Sequence, residues 1–126
     1  MKNVLLDTHV ALWVFEGASI LSQKAMAILN DPEVSIFVSP ISAYELALKA
    51  TLGKLASLPK PFVVLAHLSD FSILPITMEH YGLAGRLPLT CRDPWDRLLS
   101  AQSILAPMPL LSRDTKISEL GAEIIW

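Results

Sequence analysis

This chain of 126 residues has one cysteine, five glycines, no long apolar run and little net charge, and each shortage excludes something. Cys91 alone cannot form an internal disulfide, which fits a reducing cytoplasm rather than a cross-linked secreted scaffold. His9, His67 and His80 lie far apart and show no Cys/His spacing of a zinc site. No stretch approaches the ~20 apolar residues that a membrane helix needs. The opening Met1-Lys2-Asn3-Val4-Leu5-Leu6 is ended by Asp7, too early for a signal peptide, so no membrane role is expected. A net charge of −2 gives no global sign of nucleic-acid binding. Low-complexity tracts, linkers and useful repeats are missing too, and residues 1–126 read as a single domain.

What is present is mostly apolar. Hydrophobic residues make up 52% of the chain and mean hydropathy is +0.48, so surface is expected to be hidden against a partner or a second copy. The bases are unevenly placed. Arg86, Arg92, Arg97, Arg113 and Lys116 fall in the last third and leave room for a local basic rim.

Strand-like and helix-like segments alternate. Val4-Leu5-Leu6 reads as a short buried strand, followed by a helix from Thr8 to about Phe15 and another over Ser22 to Leu29. Ser35 to Val38 is the next strand. Ser39-Pro40 then carries the cap-and-first-turn signature of a helix to about Leu52, stopped by Gly53. A helix near Phe62 to Leu68, a strand over Phe71 to Leu74 and a helix from Thr77 to about Gly85 follow. Asp93-Pro94 opens a helix to about Leu105. Leu110-Leu111 is a fourth strand, a short helix follows Asp114, and Glu123 to Ile125 makes a fifth strand. The pattern predicts an α/β fold: three layers, α/β/α, around a mainly parallel sheet of roughly five strands.

Four acids fall where such a fold gathers ligands, in the crevice beyond the carboxyl ends of the strands. Asp7 follows the first strand, Glu45 lies in the helix after the second, Asp96 opens the helix before the fourth, and Asp114 follows the fourth. Each has a plain structural alternative. Asp7 and Asp114 can cap the helices that follow them. Glu45 makes an S-x-x-E pattern with Ser42, but Pro40 marks Ser39 as the cap, so Glu45 sits too deep for that role. In "CRDPWDR" (91–97), Pro94 makes Asp93 the cap and leaves Asp96 in the first turn, free for other work. Two carboxylates ~6 Å apart repel by about 3 kcal/mol at an effective dielectric near 20. Four converging acids therefore call for a cation, and Mg²⁺ or Mn²⁺ is the natural oxygen-bound occupant. Such a site serves phosphodiester hydrolysis. The alternative is that the acids diverge and only cap.

The stretches "LLDTHVALW" (5–13), "VSPISAYELALKATLGKL" (38–55), "LPIT…H" (74–80), "RLPLTCRDPWDRLLSAQ" (86–102) and "LLSRD" (110–114), with the closing "IIW", resemble the PIN-domain ribonucleases. The closest subgroup is the VapC-like toxins of toxin–antitoxin modules. The resemblance implies a compact α/β/α fold, an acidic Mg²⁺- or Mn²⁺-dependent site, and an RNA substrate. It makes Asp7, Glu45, Asp96 and Asp114 the four family acids, in that order. It also implies a homodimer and a small antitoxin that fills the groove, with a toxin–antitoxin hetero-oligomer as a further state. Cys91 stands where relatives often carry His, and Ser112 where they often carry Thr. Ser100 and Ser103 replace apolar or alanine positions, which suggests a wetter face on the helix that carries Asp96.

On this resemblance Asp7 and Asp96 are expected to be the main metal ligands, with Glu45 and Asp114 holding waters or a second ion. Thr8 and Ser112 are candidates for orienting carboxylates. Arg97 or Arg113 can steady a phosphate, or be solvated or carboxylate-paired. His9 reads as structural, and Trp13 and Trp95 as core or interface rather than base-stacking platforms. A PIN scaffold that binds antitoxin or RNA without cutting is the alternative. A phosphohydrolase or receiver-like domain lacks support, since there is no D-x-D after the first strand and no lysine after the fifth.

Overall fold

The first strand forms because Val4, Leu5 and Leu6 can bury both faces of an extended segment. In the computed structural model, which describes residues 2–126, β1 covers Lys2–Leu6. Val4 and Leu6 enter one hydrophobic cluster and Leu5 enters another on the opposite face, as the two-residue period of a strand requires. Each fully buried leucine contributes roughly 2–3 kcal/mol. The remaining strands are β2 (Val34–Val38), β3 (Ser72–Ile73), β4 (Leu110–Leu111) and β5 (Ile124–Ile125). Their order is β3-β2-β1-β4-β5 and every pairing is parallel, so the expected mainly parallel sheet is parallel throughout.

Parallel strands require crossovers, and helices supply them. These are α1 (Thr8–Glu16), α2 (Gln23–Leu29), α3 (Pro40–Thr51), α4 (Phe62–Leu68), α5 (Met78–Arg86) and α6 (Pro94–Leu105). The segment after Asp114 is a 3₁₀ helix, Thr115–Leu120. Gly17 ends α1 at φ 65°, a left-handed turn for which glycine carries no steric cost.

Asp7 caps α1, in keeping with its structural alternative: its carboxylate accepts the Thr8 N–H, and Thr8 is the first helical residue. Two local expectations need correction. The third strand is shorter than expected, since β3 lies at the sheet edge and pairs only with β2. The wetter face predicted from Ser100 and Ser103 is dry. Both are buried, because α6 packs against α5, α3, β4 and the 3₁₀ helix. Ser103 Oγ donates to the Met108 carbonyl, while Ser100 Oγ is buried without a partner among the described residues. No helix among the described residues is long and apolar enough to cross a membrane.

Candidate active site at the carboxyl edge of the sheet

The end of β1 is the hub of the site. Asp7 is 6% exposed, and both of its carboxylate oxygens are held. Oδ1 accepts the Thr8 N–H at 2.8 Å and Oδ2 accepts the Ser112 hydroxyl at 2.8 Å. Ser112 Oγ also accepts the Asp114 N–H at 3.1 Å, so one hydroxyl ties the end of β1 to the turn after β4. The Thr8 hydroxyl turns elsewhere, to Ser42 Oγ at 2.9 Å, and joins α1 to the helix that carries Glu45.

Asp93 and Asp96 divide as the sequence indicates. Asp93 Oδ1 accepts the N–H groups of Trp95 and Asp96, at 2.9 and 3.1 Å. Pro94 takes the first helical position, and Asp96 stands in the first turn of α6 with its carboxylate unused by the cap. An aromatic pair brings the neighbouring helix alongside. Tyr44 and Trp95 meet edge to face at 5.3 Å, each one residue before an acid, Glu45 on α3 and Asp96 on α6.

Charge crowding marks the same place. Burial pushes Asp96 up to about 7, and the carboxylates of Asp93, Asp7, Asp114 and Glu45 push in the same direction. Asp7 is raised as well, by burial first, against lowering from Ser112, His9 and the Thr8 N–H. The other three candidate acids thus all act on the Asp96 carboxylate. Glu45 is buried and ion-paired with Lys49 one turn along α3, so a lysine meets its charge. Asp114 is exposed and caps the 3₁₀ helix through the Lys116 N–H at 2.9 Å, as its structural alternative required. Among the described residues no three His, Cys, Asp or Glu side chains form a set that could hold a metal ion. The donor chemistry nonetheless fits a hard divalent cation: oxygen only, excess negative charge, and an acid whose proton affinity is raised by burial and then by neighbouring carboxylates.

The two arginines differ sharply. Arg97 is buried, and its guanidinium donates to the carbonyls of Leu87 at 2.8 Å, Pro88 at 2.7 Å and Cys91 at 2.9 Å. It fastens the loop before α6 and does not offer itself to a phosphate, which corrects that expectation. The same loop sets Cys91 Sγ 3.9 Å from Asp96 Oδ2, with burial and nearby acids raising the thiol. Arg113 stays at the surface. With Asp7, His9, Trp13 and Asp114 it lines an open concavity of about 370 Å³. His9 is exposed there, not structural as its apolar helix suggested, because it points out of α1 beside Asp7. A histidine two residues after a strand-end acid was the signal available for it.

One pairing escaped the sequence altogether. His80 completes a capping box on α5: Thr77 Oγ1 accepts the His80 N–H, and His80 Nδ1 accepts the Thr77 N–H at 3.0 Å. Glu or Gln is the usual partner in that motif.

Fold and acid placement together define an α/β domain with acids near the carboxyl ends of its strands, two of them, Asp7 and Asp114, lining one concavity. The family model for the PIN domain matches residues 4–123, and the chain belongs to the PIN domain family. Solved structures share its fold. VapBC2 from Rickettsia felis, bound to a DNA fragment from its promoter, aligns at TM-score 0.71 and 14% identity over 98% of each chain. FitAcB from Neisseria gonorrhoeae aligns at TM-score 0.65 and 19% identity, over 98% of this chain and 96% of the other. VapBC-5 from Mycobacterium tuberculosis, of the VapBC toxin–antitoxin family, aligns at 0.63 and 16% over 99% and 97%. No curated protein matches the chain in sequence.

Proposed function

We propose that this PIN domain is a divalent-metal-dependent endoribonuclease, the toxin of a cytoplasmic toxin–antitoxin pair. The observation that carries the proposal is the placement of Asp7, Asp114 and Glu45 close enough to Asp96 to raise its proton affinity, beyond the larger effects of burial and of Asp93. Carboxylates from three other segments bear on one point, more than a set of independent caps would need. Asp7 and Asp96 would hold the ion, with Glu45 and Asp114 completing the oxygen set. A bound Mg²⁺ or Mn²⁺ supplies charge neutralisation and activation of water for in-line attack on phosphorus.

The chain's own groups do the positioning. Ser112 and the Thr8 N–H fix the plane of the Asp7 carboxylate, so it need not reorganise when a cation arrives. Asp93 fixes the first turn of α6 and with it the backbone of Asp96. Lys49 holds Glu45 until another cation competes for it. Exposed apolar side chains, among them Met78, Leu89, Leu68, Val63 and Tyr44, support a protein partner, either a small antitoxin or a second copy.

A second reading has its own observation. Glu45 is neutralised by Lys49 and Asp114 serves as a cap, which suits a PIN scaffold that holds RNA or antitoxin without cutting. Turnover of a labelled single-stranded RNA with Mn²⁺ separates the two. Multiple turnovers, abolished by EDTA, support the nuclease. Stoichiometric binding without product supports the scaffold and overturns the nuclease.

A further inference from the structure

The acids at the strand ends of a chain of net charge −2 repel the polyanion proposed to be cut there, and of the two arginines named for a phosphate one can offset this. Arg97 cannot, since its guanidinium is fixed on three carbonyls. Arg113 can. Its guanidinium carbon lies 6.0 Å from the centre of the Trp13 ring, and no carboxylate pairs with it among the described residues. His9 stands on the same indole, with ring centres 6.0 Å apart, and Trp126 braces Trp13 at 5.9 Å. The resulting concavity is lined by the carboxylates of Asp7 and Asp114 and by Arg113, His9 and Trp13.

We propose that Trp13, His9 and Arg113 form a subsite for a backbone phosphate of single-stranded RNA, beside the bond acted on at the acids. This rests on the nuclease reading above and names how that site receives its substrate. A guanidinium lying over an aromatic ring loses little further freedom on binding, and its planar fork matches a phosphate in a bidentate contact. The His9 imidazole supplies a second donor from the same platform. Trp13 therefore acts as a positioning residue, while Arg113 and His9 touch the strand. The Arg113 guanidinium delivers the polyanion to an edge that would otherwise reject it, and the acids keep their affinity for a cation.

The test uses the full chain and a 12-nucleotide fluorescein-labelled single-stranded RNA in EDTA, followed by anisotropy over a range of salt. Arg113→Gln should weaken binding about fivefold or more and reduce the slope of log K against log salt by about 0.7, the loss of one phosphate contact. Trp13→Leu should move both quantities in the same direction, and Trp13→Phe should restore them by keeping a ring. His9→Gln should weaken binding by a smaller factor. Circular dichroism checks the fold of each variant, and Arg113→Gln, at an exposed position, keeps the test valid if Trp13→Leu unfolds. Unchanged affinity and slope in Arg113→Gln would overturn the subsite, as would wild type that binds no RNA. Displacement of RNA by millimolar inorganic phosphate would mark a plain anion site and overturn it too. The nuclease reading fails separately. Wild type that binds through Arg113 but never cuts with Mn²⁺ refutes that reading alone, and cutting with normal RNA binding in Arg113→Gln refutes the subsite alone.

Discussion

Replacing Asp96 with asparagine should stabilise the metal-free protein at high pH. The ordinary carboxylate value of 3.8 rises to about 7 in the fold, through burial first and then through Asp93, Asp7, Asp114 and Glu45. At 1.36 kcal/mol per decade this is about 4 kcal/mol, and screening at a partly solvated group cuts it to roughly 2 kcal/mol. Asp96 holds its proton more tightly folded than unfolded. Its contribution is therefore fully present below about pH 4 and is lost as pH rises through 7. Asparagine removes the crowded charge but also gives up about 0.5 kcal/mol of helix-dipole interaction in the first turn of α6. The net gain at pH 8 in EDTA is about 1.5 kcal/mol, or roughly 6 °C in Tm for a domain of this size. It should shrink as pH falls below 7. With Mn²⁺ at about 100 times its Kd, the wild type should gain about 2.7 kcal/mol and overtake the variant. Differential scanning calorimetry at pH 8 and pH 5, with and without Mn²⁺, reads all of this. An Asp96→Asn protein no more stable than wild type at pH 8 in EDTA would refute the crowding argument.

Other expectations follow from single contacts. Asp93→Asn should keep the fold and any RNA cleavage, because asparagine caps nearly as well, whereas Asp93→Ala should cost about 1 kcal/mol in urea unfolding. Arg97→Met should cost about 3 kcal/mol or more, since it strips donors from three carbonyls, and the loss should appear in Tm before it appears in RNA affinity. Ser100→Ala should raise stability by about 1 kcal/mol by removing a buried hydroxyl with no partner, and a lower urea midpoint would contradict this.

Local chemistry was legible where one residue decides it. Pro94 after Asp93 and Pro40 after Ser39 announced two helix starts, and both caps are in place. The alternation of apolar strands with helices announced the parallel sheet, while the order of its strands was not legible. Orientation about a helix was harder to read. His9 sits among Val10, Ala11 and Leu12, yet those three face the core while His9 faces out, and a nine-residue helix gives too few turns to fix the phase. Ser100 and Ser103 signalled water by composition, but α6 lies against several other elements and tertiary packing overrode that preference. Spacing and periodicity do not pick out long-range partners. Ser112 was a candidate for orienting some carboxylate, but its bond to Asp7 spans 105 positions, and Arg97's choice of carbonyls depends on how the loop before α6 folds back.

Hydrolysis of an end-labelled single-stranded RNA by wild type and by Asp7→Asn and Asp96→Asn, each with Mn²⁺ and each with EDTA, tests the central claim most directly. The account expects cutting by wild type with Mn²⁺ only, and none by either folded variant. Mn²⁺-dependent cutting that persists in Asp7→Asn or Asp96→Asn would contradict it.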